Sequence, residues 1–219
     1  MGYIWPSKPV LYLPFDEGRG NKAYDQSEYK NDGTIYGATW VKGKFGYALS
    51  FDGVDDYVKV SYSEIFDSLV NEITIAAWVN IYSFPSSGIK SIVQRGYWDP
   101  ETGSFLFAVH STEKFYFYIA DGTTARELKA FTPELNKWYY AVATAKLPEF
   151  MRIYVNGELV GEITDLPINE INKLTKPIDV GTNRWHGIID EVRIYNRALT
   201  PLEIKKLYYI GKLAKEYLG

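Results

Sequence analysis

GIIDEVRIYNRALTPLEIKKLY, residues 187–208, is the stretch that decides the fold class of this 219-residue chain. Its first half alternates as a β-strand does, so every second side chain is expected on one face. A carboxylate among aliphatic neighbours is costly unless backbone N–H groups, an arginine or a metal ion compensate for the lost water. Asp190 is therefore the first candidate functional residue. The side chains expected to share its face are Ile188, Val192 and Ile194.

The second half of this stretch predicts a helix. Thr200 is suited to the N-cap, Pro201 to the first helical position, and Glu203 completes a capping box with Thr200. The apolar spacing extends the predicted helix from about Pro201 to Leu213. Its apolar face is expected to consist of Ile204, Leu207 and Tyr208.

Composition limits the class of protein. We expect one all-β domain over residues 1–219, with residues 1–9 as an N-terminal extension, since sandwiches of this size do not divide. The net charge of −3 argues against nucleic acid as a partner. No apolar run approaches a membrane span, so membrane insertion is not expected. Two Gln and two Met beside many Lys, Glu and Tyr are typical of thermophilic proteins.

Localisation is left open by the composition. The chain has no Cys, so disulfide chemistry neither indicates nor excludes secretion. No signal peptide is recognisable before Val10. The protein is therefore either intracellular or a module of a larger protein that is exported or surface-anchored. We expect the module of a larger protein.

Apolar–polar alternation recurs along the chain with Gly, Asn and Asp between the runs, which predicts many short strands. The strongest local signal is Asn156-Gly157, because this pair suits a type I′ hairpin turn. The predicted strands are Val10–Phe15, Tyr47–Phe51, Tyr57–Val60, Ile73–Ile81, Ser91–Gln94, Phe105–His110, Phe115–Ala120, Trp138–Ala145, Met151–Val155, Glu158–Thr164, Pro177–Val180 and Ile188–Tyr195.

Trp78 is an exception within its predicted strand. The inward face of Ile73–Ile81 is formed by alternate aliphatic residues, which leaves Trp78 on the opposite face. Either a loop or the terminal helix covers this side chain, or it lines a groove.

Several segments together resemble the laminin G-like domains of the concanavalin A-like lectin/glucanase superfamily, over about Val10 to Leu207. This resemblance implies an all-β jelly-roll sandwich of two antiparallel sheets with a short C-terminal helix. The segments are LYLPFDEG (11–18), the Asn31-Asp32-Gly33 turn, GYALSFDGVDDYVKV (46–60), ITIAAWVN (73–80), WYYAVATA (138–145), RIYVNGELVG (152–161) and GIIDEVRIYNRALTPLEI (187–204).

The resemblance also implies a structural calcium ion where the first and last strands meet. Calcium prefers six to eight oxygen ligands, which carboxylates and backbone carbonyls can supply. The alternative for Asp190 is a carboxylate that accepts hydrogen bonds from backbone amides. A second acidic turn, Asp52, Asp55 and Asp56, is expected to be a solvated hairpin loop. The positions that match the calcium site are Asp16, Asn31, Gly33 and Asp190.

Catalytic patterns are not recognisable. The glucanases of this superfamily carry Glu-x-Asp-x-x-Glu or a close variant, whose two carboxyl groups hydrolyse the glycosidic bond, and the chain has no such spacing. His110 and His186 lie in different segments without a nucleophile motif beside them. We therefore expect a protein that is not an enzyme.

Two loops have the composition of a sugar site, an aromatic ring beside planar polar groups. The alternative is that Trp98 and Trp185 close the ends of the sandwich. The predicted ligand-binding residues are Tyr97, Trp98 and Asp99 in one loop and Asn183, Arg184 and Trp185 in the other.

These observations favour a non-catalytic module that binds a polysaccharide or glycan and is stabilised by calcium. The alternative is an adhesive or structural domain that binds a surface protein. A glycan hydrolase or lyase ranks last.

Overall fold

The computed structural model describes residues 8–218, with side chains as far as residue 210. Residues 1–7, which belong to the expected N-terminal extension, lie outside the described part. So do the side chains of the helix after residue 210. Two antiparallel sheets stack face to face, and one helix follows the last strand. The all-β sandwich with a C-terminal helix is thus confirmed.

The strands are numbered in chain order. They are β1 (Leu11–Leu13), β2 (Lys22–Ala23), β3 (Gly33–Tyr36), β4 (Thr39–Lys42), β5 (Tyr47–Asp52), β6 (Tyr57–Val60), β7 (Glu72–Ile81), β8 (Ile89–Gly96), β9 (Gly103–His110), β10 (Phe115–Ala120), β11 (Ala125–Ala130), β12 (Trp138–Lys146), β13 (Phe150–Val155), β14 (Glu158–Thr164), β15 (Ile178–Val180) and β16 (His186–Tyr195). A short 3₁₀ helix spans Glu64–Ser68, and the helix α1 spans Pro201–Leu218.

The two sheets have eight strands each. The first sheet has the order β14-β13-β12-β7-β16-β5-β4, and β1 pairs with the second half of β16. The second sheet has the order β11-β10-β9-β8-β15-β6-β3-β2. One large apolar core lies between them, to which both sheets contribute alternate side chains. Its largest members include Phe51, Phe107, Phe117 and Trp185.

A β-bulge in β16 changes the side-chain pattern that alternation predicts. Glu191 has a φ of 57°, and the register with β7 shifts between Asp190 and Arg193. A bulge adds one residue to the strand, so the residues after it change face. Ile189, Val192 and Ile194 therefore lie in the core. The prediction that Asp190 shares a face with Val192 and Ile194 is wrong.

The outer face of the first sheet is also buried. Trp78 belongs to a second apolar cluster there and is 3% exposed. Its ring packs against Phe45 from a turn and against Tyr208 from α1, with centroids 5.7 Å away in both cases. Both a loop and the terminal helix thus cover Trp78, and it lines no groove.

The helix begins as its sequence predicts. Thr200 N donates to Glu203 Oε2 at 2.9 Å, and Glu203 N donates to Thr200 Oγ1 at 3.3 Å, which forms the capping box. Ile204 is fully buried, and Leu207 and Tyr208 pack against the same cluster. The backbone of α1 continues to Leu218, five residues beyond the predicted end at Leu213.

Each of the twelve predicted strands overlaps an observed strand. The Asn156-Gly157 turn has positive φ at both residues, 53° and 84°, as a type I′ turn requires. The acidic turn after β5 is not a hairpin loop, because β5 and β6 belong to different sheets. The strands that the sequence pattern missed are β2, β3, β4 and β11.

We predict that Ile204→Ala lowers the free energy of unfolding by about 2–5 kcal/mol, because it removes a fully buried side chain between α1 and the first sheet. Leu202→Ala is the matched control, since Leu202 lies on the same helix and is 63% exposed. It should change the value by no more than about 0.5 kcal/mol. Urea denaturation measures both, and equal effects would show that α1 does not contribute to the core as described.

Candidate functional site

The connection between β8 and β9 carries two exposed aromatic residues. Tyr97 and Trp98 are 65% and 62% exposed. The loop is held by its own hydrogen bonds: Tyr97 N donates to Thr102 O at 3.1 Å, and Thr102 N donates to Asp99 Oδ1 at 2.9 Å. A Cβ at Gly103 would lie 2.2 Å from Tyr97 O, so only glycine allows this close return of the chain. The fold thus presents both rings on a fixed loop.

Asp99 serves the loop itself. Its carboxylate also accepts a hydrogen bond from Thr102 Oγ1, and the two hydrogen bonds from Thr102 lower the pKa of Asp99. Asp99 thus stabilises the loop and does not line the pocket described below; its predicted ligand contact stays a prediction.

An amide network lies beside this loop. Asn183 Nδ2 donates to Ser91 Oγ and to Gln94 Oε1, both at 2.7 Å, and Ser91 Oγ donates to Gln94 Oε1 at 2.9 Å. Both N–H groups of the Asn183 amide are used. Among the described residues, Asn183 Oδ1 and Gln94 Nε2 make no hydrogen bond, so one acceptor atom and one donor atom, the latter with two N–H groups, remain for a ligand.

The backbone at Asn183 is strained. Asn183 and Arg184 have φ values of 55° and 60°, in the left-handed region that non-glycine residues rarely adopt. Such conformations are often found at functional sites, where the surrounding contacts maintain them. Here the two hydrogen bonds of the Asn183 side chain hold the turn.

The aromatic loop and the amide network enclose one pocket of about 280 Å³. We call it the Trp98 pocket. It lies on the outer face of the second sheet, because Gln94 and Leu106 point away from the core. Its lining residues are Ser87, Gly88, Ile89, Gln94, Gly96, Tyr97, Trp98, Leu106 and Asn183.

The structure brings three of the six predicted ligand-binding residues, Tyr97, Trp98 and Asn183, to this pocket. Arg184 is exposed but does not line it. Trp185 is 1% exposed and lies in the core, so it cannot offer a ring face to a sugar, and its prediction as a binding residue is wrong. The turn at residues 183–184 directs this side chain between the sheets.

Sequence reasoning missed Gln94, Ile89 and Leu106. Gln94 lies in the predicted strand Ser91–Gln94, whose short pattern does not show which side chains face outward. One signal was present: Gln94 is one of only two Gln in the chain and directly follows the apolar pair Ile92-Val93.

Asp190 is buried on the outer side of the first sheet. Its Oδ2 accepts hydrogen bonds from Lys44 N at 2.8 Å and Phe45 N at 3.1 Å. A Cβ at Gly43 would lie 2.7 Å from the same oxygen, so a glycine is needed for this approach. Asp190 thus accepts from backbone amides, which was the alternative to metal binding, while its Oδ1 is buried without a hydrogen-bond partner.

The four predicted calcium ligands divide into two groups. Asp16 lies at the same turn as Asp190, since its Oδ1 accepts from Tyr47 N at 3.1 Å. Asn31 belongs to another loop, where its N donates to Asp25 Oδ2 at 2.8 Å. Gly33 lies in β3 of the second sheet, packed against the side chain of Val58.

These four residues therefore fit calcium only in part. Asp16 and Asp190 can supply carboxylate oxygens at one turn, with the unpartnered Asp190 Oδ1 as the strongest candidate. The nearby Glu191 carboxylate is already paired with Arg193 at 2.5 Å and with the Tyr12 hydroxyl.

A different cluster of carboxylates lies in the turn after β5. In residues 8–210, three or more potential metal-ligating side chains converge only at Asp52, Asp55 and Asp56, within 4.8 Å of one another. Asp52 and Asp55 are exposed as expected, whereas Asp56 is buried and accepts from Asp52 N at 2.8 Å. Val54 N also donates to Asp52 Oδ1 at 2.8 Å, so two of these carboxylates accept hydrogen bonds from the backbone of their own turn.

We predict that stability falls with rising pH because of Asp190. Burial raises the pKa of this carboxyl to about 8, against the opposing hydrogen bond from Phe45 N. The folded protein therefore holds a proton that the unfolded chain releases above pH 4. The stabilisation is complete below about pH 4 and is lost as the pH rises to about 8.

Asp190→Asn removes this titration. With a chelator present, the free energy of unfolding of the parent protein should fall more steeply between pH 5 and pH 8 than that of the variant. The difference in slope should reach at most ~1.4 kcal/mol per pH unit. Equal slopes in urea titrations would contradict the assignment.

A sequence profile named Laminin_G_3, of the concanavalin A-like lectin/glucanases superfamily, matches residues 52–205, more than half of the chain. The chain belongs to this superfamily. The lectin-like fold and the predicted family are therefore confirmed. No curated protein matches the sequence of this lectin-like domain.

Solved structures with the same fold include toxin binding domains. The binding domain of botulinum neurotoxin DC in complex with SialylT has a TM-score of 0.76 at 17% identity, over 94% of this chain and 52% of that chain. The same binding domain in complex with rat synaptotagmin II has a TM-score of 0.74 at 17% identity, over 93% and 52%. The lectin-like domain thus spans about half the length of these chains.

A sialidase of Trypanosoma rangeli also has this fold, with a TM-score of 0.68 at 19% identity, over 98% of this chain and 34% of the sialidase. At such identities the likeness shows the fold alone.

Within the described residues, no helix has the length and apolar character needed to cross a membrane.

Proposed function

We propose that this domain is a non-catalytic glycan-binding module whose ligand occupies the Trp98 pocket. The observation that carries the proposal is the exposed Trp98 ring beside the free Asn183 Oδ1 and Gln94 Nε2. A pyranose has an apolar face and a rim of hydroxyls, so an aromatic ring with one donor and one acceptor suits it.

A binding role is favoured over catalysis by the chemistry of the pocket. Its described lining residues contribute amides, hydroxyls and apolar groups but no carboxylate. Retaining glycosidases need two carboxyl groups about 5–5.5 Å apart at the scissile bond. Binding domains among the structural neighbours support the same role, although that likeness extends only to the fold.

The proposal includes a setting outside the cell, on a larger exported or surface protein, since polysaccharides and surface glycans are found there. One toxin binding domain with this fold has been solved both in complex with SialylT and in complex with the protein rat synaptotagmin II. Both partner classes are therefore candidates here.

A protein partner is the second candidate function. A groove of about 390 Å³ lies between α1 and the β13–β14 hairpin. Its walls include Leu159 and Leu202, which are large apolar side chains exposed to solvent. Leu202→Glu should abolish binding that depends on this groove, whereas Trp98→Ala should abolish binding that depends on the pocket.

We predict that Trp98→Ala removes glycan binding without unfolding the domain. A glycan array should show ligands for the parent protein that the variant no longer binds, because the stacking surface is lost. The melting temperature should stay within about 1–2 °C, since the side chain is largely exposed.

Trp98→Phe is the matched control and should retain part of the affinity, because an aromatic face remains. If the parent protein binds no glycan on the array, or if Trp98→Ala binds as well as the parent protein, the proposed function is wrong.

We also propose that calcium binds at the turn held by Asp16 and Asp190. The support is the buried, unpartnered Asp190 Oδ1 and a second carboxylate, Asp16, that binds the same turn at Tyr47 N. Backbone carbonyls and water would have to complete a set of six to eight oxygens. Asn31 and Gly33 are not part of this narrower proposal.

We expect calcium to raise the melting temperature of the parent protein. A ligand at a hundredfold excess over its Kd adds about 2.7 kcal/mol to the free energy of unfolding. Asp190→Asn should lose this shift, whereas Asp55→Asn, in the exposed acidic turn, should keep it. Identical melting curves in calcium and in EDTA would contradict the calcium proposal and leave the glycan site untouched.

A further inference from the structure

One row of side chains crosses the outer face of the second sheet. Residues directly opposite each other on antiparallel strands share a face, so the register defines the row. Two of its members, Leu106 and Gln94, form the floor of the Trp98 pocket. In order from β10 to β3 the row is Tyr118, Leu106, Gln94, Asp179, Lys59 and Thr34.

A second aromatic group lies on the same face, next to the Lys59–Thr34 end of this row. Tyr36 and Tyr57 are paired in register between β3 and β6, and their rings stack at 4.6 Å with an interplanar angle of 15°. They point outward, because the adjacent Ile35 and Val58 lie in the core. Tyr36 is 43% exposed, which leaves ring surface for a ligand.

The floor of the Trp98 pocket at Gln94 and the tyrosine pair are farther apart across the sheet than the width of one sugar ring. Three strand steps separate β8, which carries Gln94, from β3, which carries Tyr36. At about 4.8 Å per step, the separation across the sheet is about 14 Å. Only a chain of several sugars could contact both groups.

The row between the two aromatic groups is polar and electrically balanced. Asp179 Oδ1 is buried without a hydrogen-bond partner, and burial raises the pKa of this carboxyl while Lys59 lowers it. Asp179, Lys59 and Thr34 are each half-buried. Their exposed parts bring a carboxylate, an ammonium and a hydroxyl group to this face, which can accept, donate and do both, respectively. With one acidic and one basic residue, this row favours hydroxyl groups over a polyanion.

We propose that the ligand is a linear, neutral glycan of at least three to four sugars, which crosses the strands from the Trp98 pocket to a second subsite at Tyr36 and Tyr57. This inference rests on the proposed function and names its ligand class. Trp98 binds one sugar, the polar row contacts the hydroxyls of the next, and the tyrosine pair stacks against a sugar farther along the chain.

Chain length is the direct test. Three series of neutral oligosaccharides, of xylose, mannose and β-1,4-linked glucose, are each titrated calorimetrically from the monomer to the hexamer. For a series that binds, the titrations give the affinity as a function of the number of sugars. We expect affinity to rise up to the tetramer. Tyr36→Ala should weaken tetramer binding roughly fivefold, the value expected for one stacking contact, and leave monomer binding unchanged.

Matched variants separate a local effect from misfolding. Tyr209→Ala removes a tyrosine of similar exposure, 45%, from the helix that covers the other sheet, and it should bind like the parent protein. Tyr36→Phe keeps the aromatic ring and should bind the tetramer with an affinity close to that of the parent protein. Polygalacturonate, a polyanion, should bind more weakly than the neutral oligomers.

Each outcome distinguishes the inference from the proposed function. Suppose that Trp98→Ala abolishes binding but the parent protein binds the tetramer no more tightly than the monomer, or that Tyr36→Ala and Tyr209→Ala bind the tetramer with equal affinity. Either result would show that the extended site is wrong, while the proposed pocket would stand. A preference for polygalacturonate would overturn the neutral ligand class. If neither the array glycans nor these oligomers bind the parent protein, the proposed function fails and the inference fails with it.

Discussion

Burial of both faces of the first sheet is the constraint on which the rest of the structure depends. Its inner face packs against the second sheet, and its outer face carries Trp78, which would expose a large apolar surface if nothing covered it. The terminal helix and the turn at Phe45 provide that cover. Asp190 holds the turn through two backbone amides. The carboxylate is therefore a structural element first, whatever else binds to it.

The second sheet differs on its outer face, which no helix covers in the described part of the chain. Part of that face is a buried cluster around Leu106, Tyr116 and Tyr118, and the part beside it carries the polar side chains of Gln94, Asp179 and Lys59. The polar part, with no helix over it, is the part that can take a ligand. The Trp98 pocket and the Tyr36–Tyr57 pair both lie there, which is why the proposed site follows from the packing of the other sheet.

The pocket also depends on strain. Two consecutive left-handed residues, Asn183 and Arg184, would be unfavourable in an isolated peptide. The Asn183 amide compensates by binding Ser91 and Gln94, and the same geometry leaves one donor and one acceptor free. Trp185 then enters the core directly after this turn. Structure and proposed function thus share one turn, so substitutions at Asn183 should affect both.

Local patterns in the sequence were sufficient for twelve of the strands, the Asn156-Gly157 hairpin and the capped helix, because alternation, turn chemistry and capping act within a few residues. The superfamily came from the resemblance of whole segments in their order along the chain. Short or polar edge strands such as β4 and β11 carry too little apolar signal for this reasoning. Only the tertiary structure decided that the bulge at Glu191 returns Val192 and Ile194 to the core while Asp190 faces outward. It likewise decided that Trp185 is buried while Trp98 is exposed. Those outcomes depend on contacts between residues far apart in sequence, which no local pattern contains.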